Sequence, residues 1–138
     1  MKLAYVDSSV WITYIEGLHS YQQSIEVHLD RLAKEGWFFA TSEAVKLEIL
    51  PKLYATHNDK IIALYQALFD NLTLLDNFPE LFEEALIVTQ QEALKAMDAI
   101  HVAIAKQQGC QCFVSTDTHF KNLNCLTVVW INLKVSEL

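Results

Sequence analysis

The chain alternates between short, uncharged apolar runs and longer segments in which apolar residues recur at helical spacing. The short runs contain three to five residues, which is typical of strands that are buried on both faces of a sheet. They occupy residues 3–6, 37–40, 72–75, 112–114 and 126–130. The pattern therefore predicts five strands.

The segments between these strands predict helices. The first helix covers residues 8–16, with Ser8 or Ser9 at its start, and the second covers about 21–34 before Gly36.

Two further helices are expected before the third strand. The first begins at a cap formed by Thr41 and Ser42, and Pro51 is expected to disturb it. Its predicted core-facing residues are Ala44, Val45, Leu47 and Ile49. The second opens at Asn58 and Asp59.

Residues 79–108 have an almost unbroken helical pattern. A helix of about 30 residues is long for a globular protein, so we expect two helices with a corner within 89–96. Neither glycine nor proline marks that corner.

Alternation of strands with helices predicts a parallel sheet that is covered on both faces. The expected fold is a three-layer α/β/α domain with a mainly parallel sheet of about five strands, spanning residues 1–138 as a single domain. Functional sites in such sheets lie beyond the carboxyl ends of the strands, which is where Asp7 and Asp117 fall.

Composition narrows the class of protein. An apolar content of 52% is enough for a real core, yet no run approaches the roughly 18 uninterrupted apolar residues of a membrane span. Asp7 comes too early for the N-terminus to act as a signal peptide. We expect a soluble, cytoplasmic protein with no membrane partner.

Several familiar kinds of site are disfavoured. Three glycines cannot supply a phosphate-cradling loop, and no serine stands in a Gly-x-Ser-x-Gly elbow. A zinc site could be written only with the close pair Cys110 and Cys112, His119 and Cys125, and a Cys-x-Cys pair lacks the usual spacer. The cysteines are expected to stay reduced and to pack as small hydrophobes.

The net charge of −7 argues at first against a nucleic-acid partner. If four of the 17 acidic residues bind metal, however, the other 13 acidic residues stand against 10 basic residues. Arg31 is the single arginine, so few side chains can bind phosphate in a bidentate manner. A polyanion would have to rely on metal and scattered lysines.

Four acids stand where an apolar segment stops or a helix face turns: Asp7, Glu48, Asp98 and Asp117. Two like charges 4 Å apart repel by about 4 kcal/mol at an effective dielectric constant near 20, so converging carboxylates must take up protons or bind cations. Oxygen ligands without an obvious histidine or cysteine partner favour Mg²⁺ or Mn²⁺ over zinc.

These acids and their surroundings resemble the PIN-domain ribonuclease family, and in size the VapC-type toxins of toxin–antitoxin systems. The resemblance covers nearly the whole chain and consists of four fragments in order. They are Val6-Asp7-Ser8-Ser9-Val10, Ser42 with Glu48, Asp98-Ala99-Ile100-His101-Val102-Ala103-Ile104-Ala105, and Ser115-Thr116-Asp117-Thr118-His119-Phe120.

The resemblance implies a function and a set of site residues. Asp7, Glu48, Asp98 and Asp117 would hold one or two Mg²⁺ or Mn²⁺ ions, and the hydroxyls of Ser9, Ser42 and Ser115 would orient these carboxylates. The reaction would be hydrolysis of RNA phosphodiester bonds. Members of the family often work as homodimers, and toxins of this type are silenced by a small antitoxin protein.

Other interpretations stay open at this point. Asp7 and Asp117 could simply cap helices, and Glu43 is an alternative to Glu48 as the acid of the site. His101 is interpreted as a packed or dimer-facing residue rather than a general base. The whole chain could be a catalytically silent binding or scaffold module of the same fold. It could also be a metal-dependent phosphohydrolase that acts on a small phosphate ester.

Overall fold

Five parallel strands form the centre of the molecule in the computed structural model, which describes residues 1–133. The strands are β1 (Lys2–Val6), β2 (Trp37–Ser42), β3 (Thr73–Leu75), β4 (Cys112–Ser115) and β5 (Thr127–Trp130). Their order in the sheet is β3-β2-β1-β4-β5. The predicted five-stranded α/β/α fold is confirmed, and residues 134–138 of the predicted domain lie outside the described residues.

Helices connect the strands. They are α1 (Ser8–Glu16), α2 (His19–Lys34), α3 (Glu43–Ala55), α4 (Asp59–Asp70), α5 (Leu81–Glu92) and α6 (Ala96–Gln107), and a short 3₁₀ turn spans Thr118–Phe120. The predicted corner is confirmed, because α5 and α6 are separated by residues 93–95. Ala93 makes this turn in the left-handed conformation, with a φ of 56°.

Strand order places β1 in the middle of the sheet, between β2 and β4. Val6 of β1 is in register with Val114 of β4, and the Asp7 amide continues the ladder by donating to the Val114 carbonyl at 2.9 Å. The carboxyl ends of these strands therefore meet at one edge. Asp7 and Ser115 leave the sheet side by side at this edge.

Two details of α3 differ from expectation. The helix continues through Pro51 to Ala55, since proline removes one amide donor without necessarily ending the helix. Leu47 was predicted to face the core but is 66% exposed. Thr41 belongs to β2, and Ser42 occupies the cap position of α3 without a side-chain capping bond.

The three cysteines are free thiols that pack as predicted. Burial raises the pKa of the Cys110 thiol to about 12 and that of the Cys112 thiol to about 11, so both remain protonated. Within residues 1–133, no helix is both long enough and apolar enough to cross a membrane.

Candidate metal centre

Asp7 is a buried carboxylate at the carboxyl end of β1. It occupies the cap position of α1, yet its side chain makes no capping bond, and Ser8 and Ser9 are helical residues rather than caps. Its Oδ2 accepts hydrogen bonds from Ser9 Oγ at 2.8 Å and from Ser115 Oγ at 3.0 Å. Burial raises the pKa of Asp7, and these two bonds oppose that effect only in part.

Glu48 reaches the same place from α3. Its Oε1 accepts from Ser8 Oγ at 2.6 Å and contacts Nε2 of His101. Burial alone would raise the pKa of Glu48, but the hydrogen bonds from His101 and Ser8 outweigh it and the pKa is lowered. Glu48 is therefore an ionised carboxylate whose side chain is still 31% exposed.

Asp7, Glu48 and His101 together form a group that could hold a cation. One ligand atom from each lies within 4.8 Å of the other two. Carboxylate oxygens are the ligands that Mg²⁺ and Mn²⁺ prefer, and a buried carboxylate with a raised pKa is a group whose charge a cation would compensate. The residues present therefore fit a divalent metal ion.

Asp98 and Asp117 form a second cluster beside this group, around His119. The ring Nδ1 of His119 lies 3.2 Å from Asp98 Oδ2 and 3.4 Å from Asp117 Oδ1. Burial and then the charge of Asp117 raise the pKa of Asp98, while His119 partly offsets them. Asp117 also accepts from the His119 amide at 2.9 Å, so it does cap the short 3₁₀ turn.

Two serine hydroxyls join the clusters. Ser115 Oγ, which donates to Asp7, accepts from the Asp117 amide at 3.0 Å. Ser9 Oγ accepts from the Thr116 amide at 3.2 Å. The loop that carries Asp117 is thus tied through hydroxyls to the Asp7 carboxylate.

Residues 4–124 match the family model of the PIN domain. The chain belongs to the PIN domain family. Proteins of this family are nucleases, and they generally use divalent metals. No curated protein matches this PIN domain at a significant level.

Solved structures show the same fold. VapBC2 from Rickettsia felis bound to a promoter DNA fragment matches with a TM-score of 0.73 and 16% identity, over 92% of this chain and 97% of that chain. A toxin–antitoxin complex from Klebsiella pneumoniae matches with a TM-score of 0.66 and 19% identity, over 91% and 95%. VapC20 from Mycobacterium tuberculosis, a toxin that cleaves the sarcin–ricin loop, matches with a TM-score of 0.60 and 17% identity, over 80% and 86%.

The hydroxyls of this PIN domain differ in how directly they meet the acids. Ser9 and Ser115 contact Asp7, whereas Ser42 donates to no acid and instead bonds the Tyr5 hydroxyl at 2.7 Å. Ser8 donates to Glu48, although the sequence had not indicated that Ser8 would orient an acid. Its position next to Asp7 gave no sign of which neighbour it would face.

His101 is the residue that the sequence interpretation most underestimated. It is packed, as expected, but it is fully buried and so does not face a surface. It contacts Glu48, although no histidine partner for the acids had been recognised. The available signal was its position one helical turn after Asp98, which places both on the same side of α6.

Proposed function

We propose that this PIN domain is a metal-dependent endoribonuclease that hydrolyses RNA phosphodiester bonds and acts as the toxin of a toxin–antitoxin pair. The observation that carries the proposal is the convergence of Asp7 and Glu48 beyond the carboxyl end of β1, within 4.8 Å of each other's ligand atoms. VapC20, a protein of the same fold, is a toxin that cleaves the sarcin–ricin loop, which supports RNA as the substrate class.

The proposed ligands are Asp7, Glu48, Asp98 and Asp117, for one or two Mg²⁺ or Mn²⁺ ions. When bound, such an ion lowers the pKa of a water molecule and offsets negative charge at the phosphate. Asp7 and Glu48 provide fixed oxygens, because serine hydroxyls already restrict both carboxylates. Asp98 and Asp117 repel each other and both contact the His119 ring, so a cation that takes both would compete with that ring.

The charge of the protein fits this assignment. A polyanion would be repelled by four ionised carboxylates, and cations at the site remove that repulsion. The remainder of the chain carries 13 acids against 10 basic residues, which is a mild excess for an RNA-binding protein. RNA binding should therefore depend on metal more strongly than in a basic nuclease.

Calorimetric titration with Mn²⁺ tests the metal site. Wild type should bind Mn²⁺ and Asp7→Asn should not, because this substitution removes the buried charge at the centre of the group. Asp30→Asn is the matched control, since Asp30 is an exposed acid on α2, away from the site. Equal uptake by wild type and Asp7→Asn would contradict the assignment.

Cleavage assays separate the enzyme from its alternatives. The protein is incubated with a structured RNA and with a generic phosphomonoester, in Mg²⁺ and then in chelator. We expect cutting of RNA alone, and only with metal. Hydrolysis of the ester alone would favour the small-substrate phosphohydrolase, and metal uptake without any hydrolysis would favour the silent binding module.

We also propose an antitoxin protein as a partner that covers the four acids of the site. The matching structure from Klebsiella pneumoniae is that of a toxin–antitoxin complex, which supports such a partner. Expression of wild type should arrest growth, whereas Asp7→Asn should not. Co-expression of a short gene immediately upstream should relieve the arrest, and its failure to do so would argue against that gene as the antitoxin.

A homodimer is the proposed assembly. Leu47 on α3 and Phe82 on α5 are 66% and 76% exposed and line one hollow together with Met97 and Ile100. Exposed apolar patches of this kind mark protein interfaces. Light scattering should find a dimer for wild type and a monomer for Phe82→Glu, while Leu18→Glu, at an equally exposed leucine outside this patch, should leave the dimer intact.

A further inference from the structure

A chain of buried hydrogen bonds ends at Glu48. The Tyr5 hydroxyl lies 2.7 Å from Ser42 Oγ and 2.7 Å from His101 Nδ1, and His101 Nε2 contacts Glu48 Oε1. The four residues come from β2, β1, α6 and α3. Ser42, Tyr5 and His101 have no exposed surface, so Glu48 is the only end of the chain that solvent reaches.

One assignment of the hydrogens satisfies every bond of this path when the imidazole is neutral. A carboxylate has only acceptors, so His101 Nε2 carries the hydrogen and donates to Glu48. In a neutral ring Nδ1 is then an acceptor, and the Tyr5 hydroxyl donates to it. Ser42 in turn donates to the Tyr5 oxygen. Every polar atom along the path therefore has a partner.

Core packing alone does not explain this arrangement. Burying three polar side chains is unfavourable unless each is hydrogen-bonded, and apolar side chains of similar size would fill the same space without that requirement. The Tyr5 ring already packs against Phe113, with centroids 5.4 Å apart. The hydroxyl adds nothing to that stacking, but it does hold the His101 ring.

His101 also differs from a direct metal ligand. To bind an ion through Nε2, His101 would have to release Glu48 and carry its hydrogen on Nδ1. It would then donate to the Tyr5 hydroxyl, which reverses the direction of these hydrogen bonds. The direction set by the Glu48 carboxylate keeps Nε2 occupied. Ser8 on α1 donates to the same oxygen, Oε1 of Glu48, so Ser8 and His101 together fix the position of this atom.

We infer that Tyr5 and His101 are positioning residues that hold the Glu48 carboxylate beside Asp7 for metal binding. This inference rests on the proposed metal site. Loss of an outer hydrogen-bond partner of a metal ligand typically lowers metal affinity about 10- to 100-fold. The Tyr5 hydroxyl, two bonds away from Glu48, should belong to the lower end of that range.

The test compares two buried tyrosines. Tyr5→Phe removes the hydroxyl that holds His101 and keeps the ring stacked on Phe113. Tyr65→Phe is the matched control, because Tyr65 is also fully buried and donates to a carboxylate, Glu16, at 2.5 Å. Calorimetry should find Mn²⁺ affinity about 10-fold lower for Tyr5→Phe and unchanged for Tyr65→Phe.

Substitutions of His101 extend the test. His101→Gln retains an amide that can donate to Glu48, whereas His101→Leu cannot donate, so Mn²⁺ affinity should fall in the order wild type, Gln, Leu. If Tyr5→Phe does not fold, as judged by thermal unfolding, Ser42→Ala replaces it and should weaken Mn²⁺ binding in the same direction. An affinity that is unchanged in these variants overturns the inference.

Pulsed EPR on the Mn²⁺-loaded protein separates positioning from ligation. A coordinated imidazole gives a strong nitrogen coupling to the metal, and we expect none from His101. A coupling present in wild type and absent in His101→Gln would overturn the positioning role in favour of a ligand. Failure of wild type to bind Mn²⁺ at all would instead reject the proposed function, so the two failures are distinguishable.

Discussion

The two halves of the candidate site are built in different ways. Asp7 and Glu48 are held by hydroxyl and imidazole donors on fixed elements, with Asp7 only 4% exposed. Asp98 and Asp117 are more open and meet through the half-exposed ring of His119 at 3.2 and 3.4 Å. One half is therefore preorganised by hydrogen bonds from the core of the fold, whereas the other is open to solvent and is held by its contacts with His119.

Asp7→Asn should have the largest effect, because it removes the charge from the preorganised half. We expect RNA cleavage to fall on the order of 10²- to 10³-fold. The metal-free protein should become more stable, since a buried carboxylate with a raised pKa is costly to keep ionised. Thermal unfolding in chelator measures this, and a less stable variant would contradict it.

The pH dependence of that difference provides a further check. The folded-state pKa of Asp7 is raised by burial, so ionised Asp7 destabilises the metal-free protein at neutral pH. As pH falls through this raised value the carboxyl becomes neutral and the cost disappears. The stability gap between Asp7→Asn and wild type should therefore shrink on acidification, and a gap that widens would show that burial is not the cause.

Substitutions of Asp117 test the open half. Asn caps helices as well as Asp does, whereas Ala does not, so Asp117→Asn and Asp117→Ala lose the same charge but only Ala loses the cap. Both should lower Mn²⁺ affinity by a similar factor, about 10-fold. Only Ala should lower stability, by about 1 kcal/mol. A normal affinity in Asp117→Asn would leave capping as the sole role.

Ser115→Ala asks whether the halves act together. Its hydroxyl donates to Asp7 and accepts from the Asp117 amide, so its loss releases both. We expect Mn²⁺ affinity to fall about 10-fold and stability to fall by about 1 kcal/mol. Ser9→Ala releases Asp7 and the Thr116 amide but leaves the Ser115 bonds to Asp7 and the Asp117 amide, so it should show the smaller loss of affinity in the same titration.

Ala93→Gly should have the smallest effect. Ala93 adopts a left-handed conformation between α5 and α6, which glycine tolerates without strain. The free energy of unfolding should rise by about 0.5 kcal/mol, because relief of strain is partly cancelled by the greater entropy of the unfolded chain. Mn²⁺ affinity should not change, and a change would mean that the strained turn sets the position of Asp98.

The sequence allowed the sheet and the place of the acids to be predicted, because strand ends follow from topology. Asp7 and Asp117 were placed at one edge once their strands were predicted to be parallel, and the structure adds that β1 and β4 are neighbours. The direction of helical side chains was harder. Leu47 lies about 200° around α3 from buried Val45 but only about 60° from buried Ala44 and Leu50, so spacing along the helix left its burial undecided and its apolar character misled the prediction.

His101 and Ser8 could not be assigned in the same way. Their roles depend on how α6 and α1 are rotated against α3, and no pattern along one helix determines that rotation. Ser42 shows the same limit, because a cap position implied contact with its own helix and the hydroxyl instead turned toward Tyr5. The metal-binding roles of the four acids remain predictions.

Leu47 and Glu48 are consecutive in the chain, and their side chains leave α3 on two different sides, about 100° apart. One side is an exposed apolar surface, and the other carries a carboxylate of the candidate site. A molecule that presses on Leu47 would push on the same backbone that supports Glu48. Packing on the outside of α3 is thus linked, through one stretch of backbone, to the position of the Glu48 carboxylate, without any contact between the packing molecule and the acids.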